Sequence, residues 1–197
     1  MGKIIDKLSI DLRPLEPGDA IDVHQLVKQS HPLDTNSTYC NLLQCTHFCD
    51  TSVAAVLDGK LVGFVTAYIP PKETDNLFIW QLAVSESCRG AGLAKTMINW
   101  LIGRPNLKRV TRLSATVTPD NQASRSLFES LAYEWNANIN RRLLFQSDTH
   151  FAGKHDDEYE LRIAPLPGRE SLNDDIRHHL ETLKAGFRNP IAWCHME

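Results

Sequence analysis

Along the chain, apolar runs with strand spacing alternate with stretches whose apolar positions recur every three or four residues. Residues 10–13, with Leu8, read as a short first strand halted by Pro14. After the turn at Glu16, Pro17, Gly18 and Asp19, the positions Ala20, Val23, Leu26 and Val27 make one helical stripe. Residues 31–37 form a polar loop, in which Pro32 disfavours helix before it and Asn36 or Ser37 can cap the next helix. Residues 37–49 then carry Tyr39, Leu42, Leu43, Thr46 and Phe48 in a second helical rhythm.

Two strands, residues 52–57 and 61–69, flank Asp58-Gly59, a strong two-residue hairpin signal. Pro70-Pro71 ends the second of them, and residues 77–84 are an almost wholly apolar strand rich in aromatic and β-branched residues. These three strands form an antiparallel meander. A short loop comes next, then a helix over 93–102 with Leu93, Met97, Trp100 and Leu101 in helical spacing. Residues 110–118 alternate apolar and polar and form a strand parallel to 77–84, because a helix crosses over between them. Pro119-Asp120-Asn121 caps a helix over 122–131, with Ala123, Leu127, Phe128 and Leu131 inward. Residues 141–145 and 158–163 are closing strands around a polar loop that holds His150 and His155. Pro165, Pro167 and Gly168 end the compact unit, residues 8–165. The remainder, 166–197, carries Leu172, Ile176, Leu180 and Leu183 on one helical face, suited to packing on the domain or on a partner subunit.

At 197 residues, the length suits one domain with a sizeable core. A net charge of −3 argues against a nucleic-acid partner. No apolar run is long enough to span a bilayer, and the first residues lack a signal-peptide core, so the expected location is cytoplasmic. Five cysteines at irregular spacing make neither a disulfide framework nor a zinc site, and free thiols with no metal are expected.

The chemistry concentrates in the loop between strand 77–84 and the helix beginning at Leu93, where Arg89, Gly90, Ala91, Gly92 and Ala94 stand. A glycine loop entering a helix N-terminus presents several backbone N–H groups, with the helix dipole behind them, to an anion such as a phosphate. The nucleotide-triphosphate loop would need Gly-Lys-Ser/Thr, and the dinucleotide fingerprint a third glycine; neither is present. Arg-x-x-Gly-x-Ala after a strand ending Leu-Ala-Val resembles the acetyl-CoA diphosphate loop of the GNAT N-acetyltransferases. The order of elements is also theirs. That resemblance implies an α/β (α+β) GNAT fold, a mixed central sheet, mostly antiparallel, with a splayed parallel pair and flanking helices. It implies that the acetyl-CoA arm pairs with Leu82, Ala83 and Val84, that the diphosphate meets Arg89 through Ala94 including Leu93, and that Asn121 lies near the pantetheine. Arg125 and Lys95 become candidates for the nucleotide end, or plain solvated charges.

Four further segments narrow the likeness: residues 31–39 (His-Pro-Leu-Asp-x-Asn-Ser-x-Tyr), His47-Phe48, residues 75–81 (Asp-x-Leu-Phe-x-Trp-Gln) and residues 116–121 (Thr-Val-Thr-Pro-Asp-Asn). Together they resemble the diaminobutyrate N-γ-acetyltransferase family of ectoine synthesis, over roughly residues 8–165. The resemblance implies acetyl transfer from acetyl-CoA to the γ-amine of L-2,4-diaminobutyrate by a homodimer. A diamino acid needs an acceptor for its retained ammonium, donors for its carboxylate and a dry slot for the reacting amine. Asp34 is the candidate anchor for the ammonium, or else an Asx turn toward Ser37. Tyr39 could offer its hydroxyl, Trp80 could wall the slot, and Thr116 and Thr118 could donate to the carboxylate. His155 and Glu160 flank the closing loop as further candidates.

The amine must be deprotonated before it attacks a thioester. Glu160, Asp34 or His155 could end the proton path, and a backbone N–H near Leu82 or Val84 should hold the oxyanion. Relatives often place a tyrosine seven residues after the Asn121 position as acid for the leaving thiolate; here Phe128 stands there, with Tyr39 as a stand-in. An N-acetyltransferase for another small diamine or amino acid, or a CoA-binding sensor without turnover, are the competing readings.

Overall fold

The computed structural model describes residues 10–187; Leu8, placed with the first strand, and Cys194 lie outside the described residues. The described part begins with β1 (Ile10–Arg13), α1 (Ala20–Lys28) and α2 (Thr38–His47). The meander comes next as β2 (Val53–Leu57), β3 (Lys60–Tyr68) and β4 (Asn76–Val84), then α3 (Leu93–Gly103) and β5 (Arg112–Val117). It closes with α4 (Gln122–Glu134), β6 (Asn138–Phe145), the single turn α5 (Ser147–His150), β7 (Glu158–Ala164) and α6 (Arg169–Phe187).

The seven strands among the described residues form one sheet in the order β1-β2-β3-β4-β5-β7-β6. Only β4 and β5 run parallel, as a crossover through α3 requires. A larger core lies on one face, where Met97, Ile98 and Leu101 of α3 and Phe128 and Leu131 of α4 cover Leu77, Ile79, Leu113 and Ile163. A smaller one lies on the other, where Val23, Leu26 and Val27 of α1 and Cys45 of α2 meet Ala54, Phe64 and Ala83. The α1 stripe read from the sequence is thus the buried face.

The α2 rhythm is not. Tyr39 and Leu42 are exposed, and the helix turns Asn41, Gln44 and Cys45 inward. The buried amides are paired in part: Asn41 Nδ2 donates to Gln44 Oε1 at 3.2 Å and Asn41 Oδ1 meets His24 Nδ1 at 3.1 Å, while Gln44 Nε2 is left without a partner. Ser37, one of the two expected caps, accepts the Cys40 N–H at 3.1 Å.

The amphipathic tail helix packs on α3, with Leu172, Ile176 and Leu183 joining the larger core. Cys40, Cys45, Cys49 and Cys88 are free thiols, and burial pushes that of Cys45 up to about 12.

A break between β4 and β5 positions the site. Their pairing runs from Asn76↔Arg112 only to Ile79↔Ala115. At that point the β3 register shifts from Ala67↔Ile79 to Thr66↔Gln81, so Trp80 is an extra residue on β4. This bulge turns the alternation over. Leu77 and Ile79 face the larger core, while Ala83 faces the smaller one. Beyond Ile79 the two strands diverge into a gap.

Candidate active site

Across β4, the Gln81 N–H meets Thr66 Oγ1 at 3.2 Å and the Ser85 N–H meets Val62 O at 2.8 Å, both on the β3 side. Strand alternation therefore aims the N–H groups of Leu82 and Val84 the other way, into the gap. The Val84 carbonyl is already taken by Arg89 Nε at 3.1 Å, which ties the end of β4 to the glycine loop. Gly90 and Gly92 hold φ of +73° and +75°, a conformation that side chains with a Cβ resist. Gly92 is the N-cap of α3.

A cavity of about 400 Å³ joins these parts. Leu82, Ala83 and Val84 form one wall, and Arg89, Gly90, Gly92, Leu93 and Ala94 surround its anion end. Asn121, Ala123 and Leu127 of the α4 start close another side, with Pro32 and Leu33 of the α1–α2 loop opposite. Asn121 itself caps α4, its side chain accepting the Ser124 N–H at 3.1 Å. Ala91 is buried beneath the loop rather than exposed in the cavity. Arg125 is outside the lining; its guanidinium donates back to the Pro119 carbonyl. Lys95 lines the cavity but is paired with Glu134 and Ser130. The residues present fit acetyl-CoA: bare N–H groups at a helix start for a diphosphate, and a strand edge of free N–H groups for an amide-bearing arm.

A second, polar cavity of about 330 Å³ shares Pro32 with the first. Thr118, Asp120, Lys154, His155 and Asp156 line it. The His155 ring is held between two acceptors, Nδ1 on the Asp156 carbonyl and Nε2 on Asp34 Oδ2, each at 2.9 Å. The bond to Asp156 first of all raises the His155 pKa; burial opposes it, and the Asp34 carboxylate adds to the rise, so that the imidazolium is favoured. Gln81, a residue given no role by the sequence pattern, fixes this loop from β4: its Nε2 donates to the Asp34 carbonyl at 2.7 Å.

Glu160 turns out to be placed for another task. It is only 4% exposed, and Arg142 and Arg162 hold its two carboxylate oxygens. Arg162 continues the network to Glu73 at 2.9 Å. The carboxyl group that faces the polar cluster is Glu158, two residues earlier on the same strand face. Glu158 Oε1 lies 3.9 Å from His155 Nε2, and Glu158 Oε2 is buried with no hydrogen-bond partner. Burial, first of all, raises the Glu158 pKa; the Thr116 hydroxyl and His155 counter this in part, while Asp34 and Asp120 add to it.

The two threonines are placed differently: the Thr118 hydroxyl donates to Asp120 Oδ1 at 2.6 Å, so its proton is not free for a substrate carboxylate, and Thr116, opposite Glu160 in the β5–β7 pairing, lies outside both cavity linings. Tyr39 is 67% exposed on α2 and lines neither cavity. Trp80, on the bulge, packs against Phe48 and Tyr68 at centroid distances of 6.3 and 6.0 Å, also away from both linings. Phe128 is buried in the larger core and brings no hydroxyl to the site.

Comparison with known proteins agrees with this geometry. The acetyltransferase (GNAT) family matches residues 20–133, more than half of the chain. The L-2,4-diaminobutyric acid acetyltransferase of Methylotuvimicrobium alcaliphilum is 44% identical over 144 residues, 73% of this chain and 84% of that one. That of Vibrio cholerae is 44% identical over 145 residues, 74% and 84%. Among solved structures, diaminobutyrate acetyltransferase EctA from Paenibacillus lautus, in complex with L-2,4-diaminobutyric acid and coenzyme A, superposes with a TM-score of 0.76. It is 33% identical, and the match covers 80% of this chain and 96% of that one. Ard1 from Thermoplasma volcanium, 15% identical with a TM-score of 0.63 over 79% and 98%, shares the fold.

Proposed function

The chain belongs to the acetyltransferase (GNAT) family and within it to the diaminobutyrate acetyltransferases, and we propose that it moves the acetyl group of acetyl-CoA to the γ-amine of L-2,4-diaminobutyrate, a step toward ectoine. The observation that carries this reading is the meeting of two unlike cavities at Pro32: one walled by β4 and the glycine loop, the other lined by Thr118, Asp120, Lys154 and His155, the last of them bonded to Asp34. The first suits a thioester on a diphosphate-bearing carrier, the second a small ion with charges of both signs.

In this mechanism the Gly90–Ala94 backbone N–H groups grip the diphosphate of acetyl-CoA, and the Leu82 and Val84 N–H groups, aimed into the gap, hold the carbonyl oxygen as negative charge develops on it. Asp34 binds the retained α-ammonium, and Lys154, in the same polar cavity, receives the substrate carboxylate. An aliphatic ammonium has a pKa of roughly 10, so a base must take its proton before attack. Glu158 fills that role. Its unpartnered Oε2 offers a vacant acceptor, and its raised pKa brings it closer to the amine than an ordinary carboxylate. His155, held as a cation against Asp34, keeps the loop in place. The thiolate leaves without a tyrosine, since Phe128 stands at that place and a thiol is acidic enough to depart with modest help.

We assign residues 8–165 as the catalytic unit and 166–197 as an extension. The family likeness supports a homodimer, cytoplasmic location and a part in osmotic adaptation. Mass spectrometry of the product tests the reaction: the acetyl group belongs on the γ nitrogen. Acetylation at the α nitrogen, or ornithine and lysine releasing CoA as fast as diaminobutyrate, would overturn it. Light scattering should return twice the 22.2 kDa chain mass.

A further inference from the structure

The tail helix α6 reaches the diphosphate loop. Its Leu172, Ile176 and Leu183 are anchored in the larger core, and this places His179 against the Ala91–Gly92 peptide. His179 Nε2 lies 2.8 Å from the Ala91 carbonyl. A carbonyl only accepts, so Nε2 carries the proton and donates. The same ring sits where a side chain on Gly92 would begin: a Cβ there would lie 2.5 Å from Nε2 and 2.6 Å from Cε1.

Cis peptide bonds among the described residues occur only before Pro32 and Pro165, so the Ala91–Gly92 bond is trans. In a trans peptide the C=O and the following N–H point in opposite directions. Holding the Ala91 carbonyl toward α6 therefore turns the Gly92 N–H away from it. Gly92 lines the 400 Å³ cavity, whereas His179 lies outside that lining, on the other side of the loop. We propose that His179 is a positioning residue: by fixing the Ala91–Gly92 peptide from behind, it aims the Gly92 N–H at the diphosphate of acetyl-CoA. This gives the extension a task in the reaction without contact to either substrate. It also accounts for glycine at 92 twice, through the positive φ and through the imidazole that fills the space of a side chain. The proposal rests on the reading of this loop as the diphosphate site.

The test is steady-state kinetics and CoA calorimetry on the full chain with His179→Ala, His179→Leu and His179→Gln. Loss of one neutral hydrogen bond corresponds to about a fivefold change. The Ala and Leu variants should raise the acetyl-CoA KM and the CoA Kd by about that factor with kcat unchanged. His179→Gln, whose amide N–H can reach the same carbonyl, should recover most of it. S-acetylpantetheine, which has no diphosphate, should show the same KM with wild type and with every variant. Should His179→Ala fail to fold, the comparison of Leu with Gln decides alone, since both keep bulk and only one donates. An unchanged acetyl-CoA KM, a Gln variant no better than Leu, or an equal loss with S-acetylpantetheine would overturn the proposal. A wild-type protein that binds no CoA would instead sink the reading of the loop, a separate failure.

Discussion

His155 Nε2 stands 2.9 Å from Asp34 Oδ2, across 121 positions of sequence, and joins the loop after α1 to the loop before β7. Each loop would otherwise be free at the mouth of the polar cavity. Asp34→Asn keeps the main-chain carbonyl that Gln81 holds and removes only the charge. The expected result is an approximately tenfold higher KM for diaminobutyrate with kcat little changed, as for loss of a charge-assisted contact to a group that does not react.

The same substitution should move the His155 titration. Its pKa is raised by the Asp156 carbonyl and then by Asp34, so the ion pair is complete below the ordinary histidine value and is lost as pH rises through the raised one. In Asp34→Asn the midpoint followed by NMR should fall, and Asp156, whose carbonyl remains, should keep it from falling the whole way. A midpoint unmoved by the substitution would mean that the pair contributes nothing in solution.

Glu158→Gln separates a base from a structural carboxylate. Removing a general base typically costs 10²–10⁴ in turnover, so kcat should drop at least about a hundredfold. In wild type, kcat should fall as pH drops through the raised Glu158 pKa, and that limb should vanish in the variant. The effect on stability has the opposite sign. A carboxyl whose folded pKa is raised binds its proton more tightly when folded, so stability declines as pH climbs from the unfolded value to the raised one. At neutral pH, then, Glu158→Gln should melt no lower than wild type.

Glu160→Gln should behave in reverse. Here a buried carboxylate is held by Arg142 and Arg162, and its loss leaves two guanidiniums facing a neutral amide. A fully buried pair would cost about 3–5 kcal/mol to break. Because Arg142 is largely exposed, about 1–3 kcal/mol is expected, read as a lower melting temperature with kcat per folded molecule nearly retained.

These two glutamates also mark where reading the chain alone stops. The strand–loop–helix around Arg89 and Gly92, the Asp58-Gly59 hairpin and the α1 stripe all rest on local rules, and each is in the structure where those rules put it. Glu158 and Glu160 share one face of β7, so alternation treats them alike. Register separates them: Arg142 of β6 lies opposite Glu160, while Glu158 lies opposite Phe145, past an irregularity in the pairing. Nothing local in the sequence specifies that register. The α2 helix departs from its apolar rhythm for a related reason. Its buried side includes Asn41 and Gln44, which bond each other while Asn41 also meets His24, and an apolar rhythm cannot see such pairs. The bulge at Trp80, which opens the gap between β4 and β5, is likewise set by pairing with β3.

Gly92→Ala tests the diphosphate loop from its own side. The new Cβ meets His179 at 2.5 Å, and φ of +75° is costly for any residue with a Cβ. The conformational strain alone is about 1–2 kcal/mol. Gly90→Ala offers the control. Its φ of +73° carries the same strain, yet nothing lies within 4 Å of the added atom. If the loop worked by flexibility alone, the two variants would lose acetyl-CoA affinity equally in calorimetry. With a fixed loop backed by α6, Gly92→Ala should lose at least about tenfold more than Gly90→Ala, because relieving the clash must displace either the ring or the peptide whose N–H meets the diphosphate.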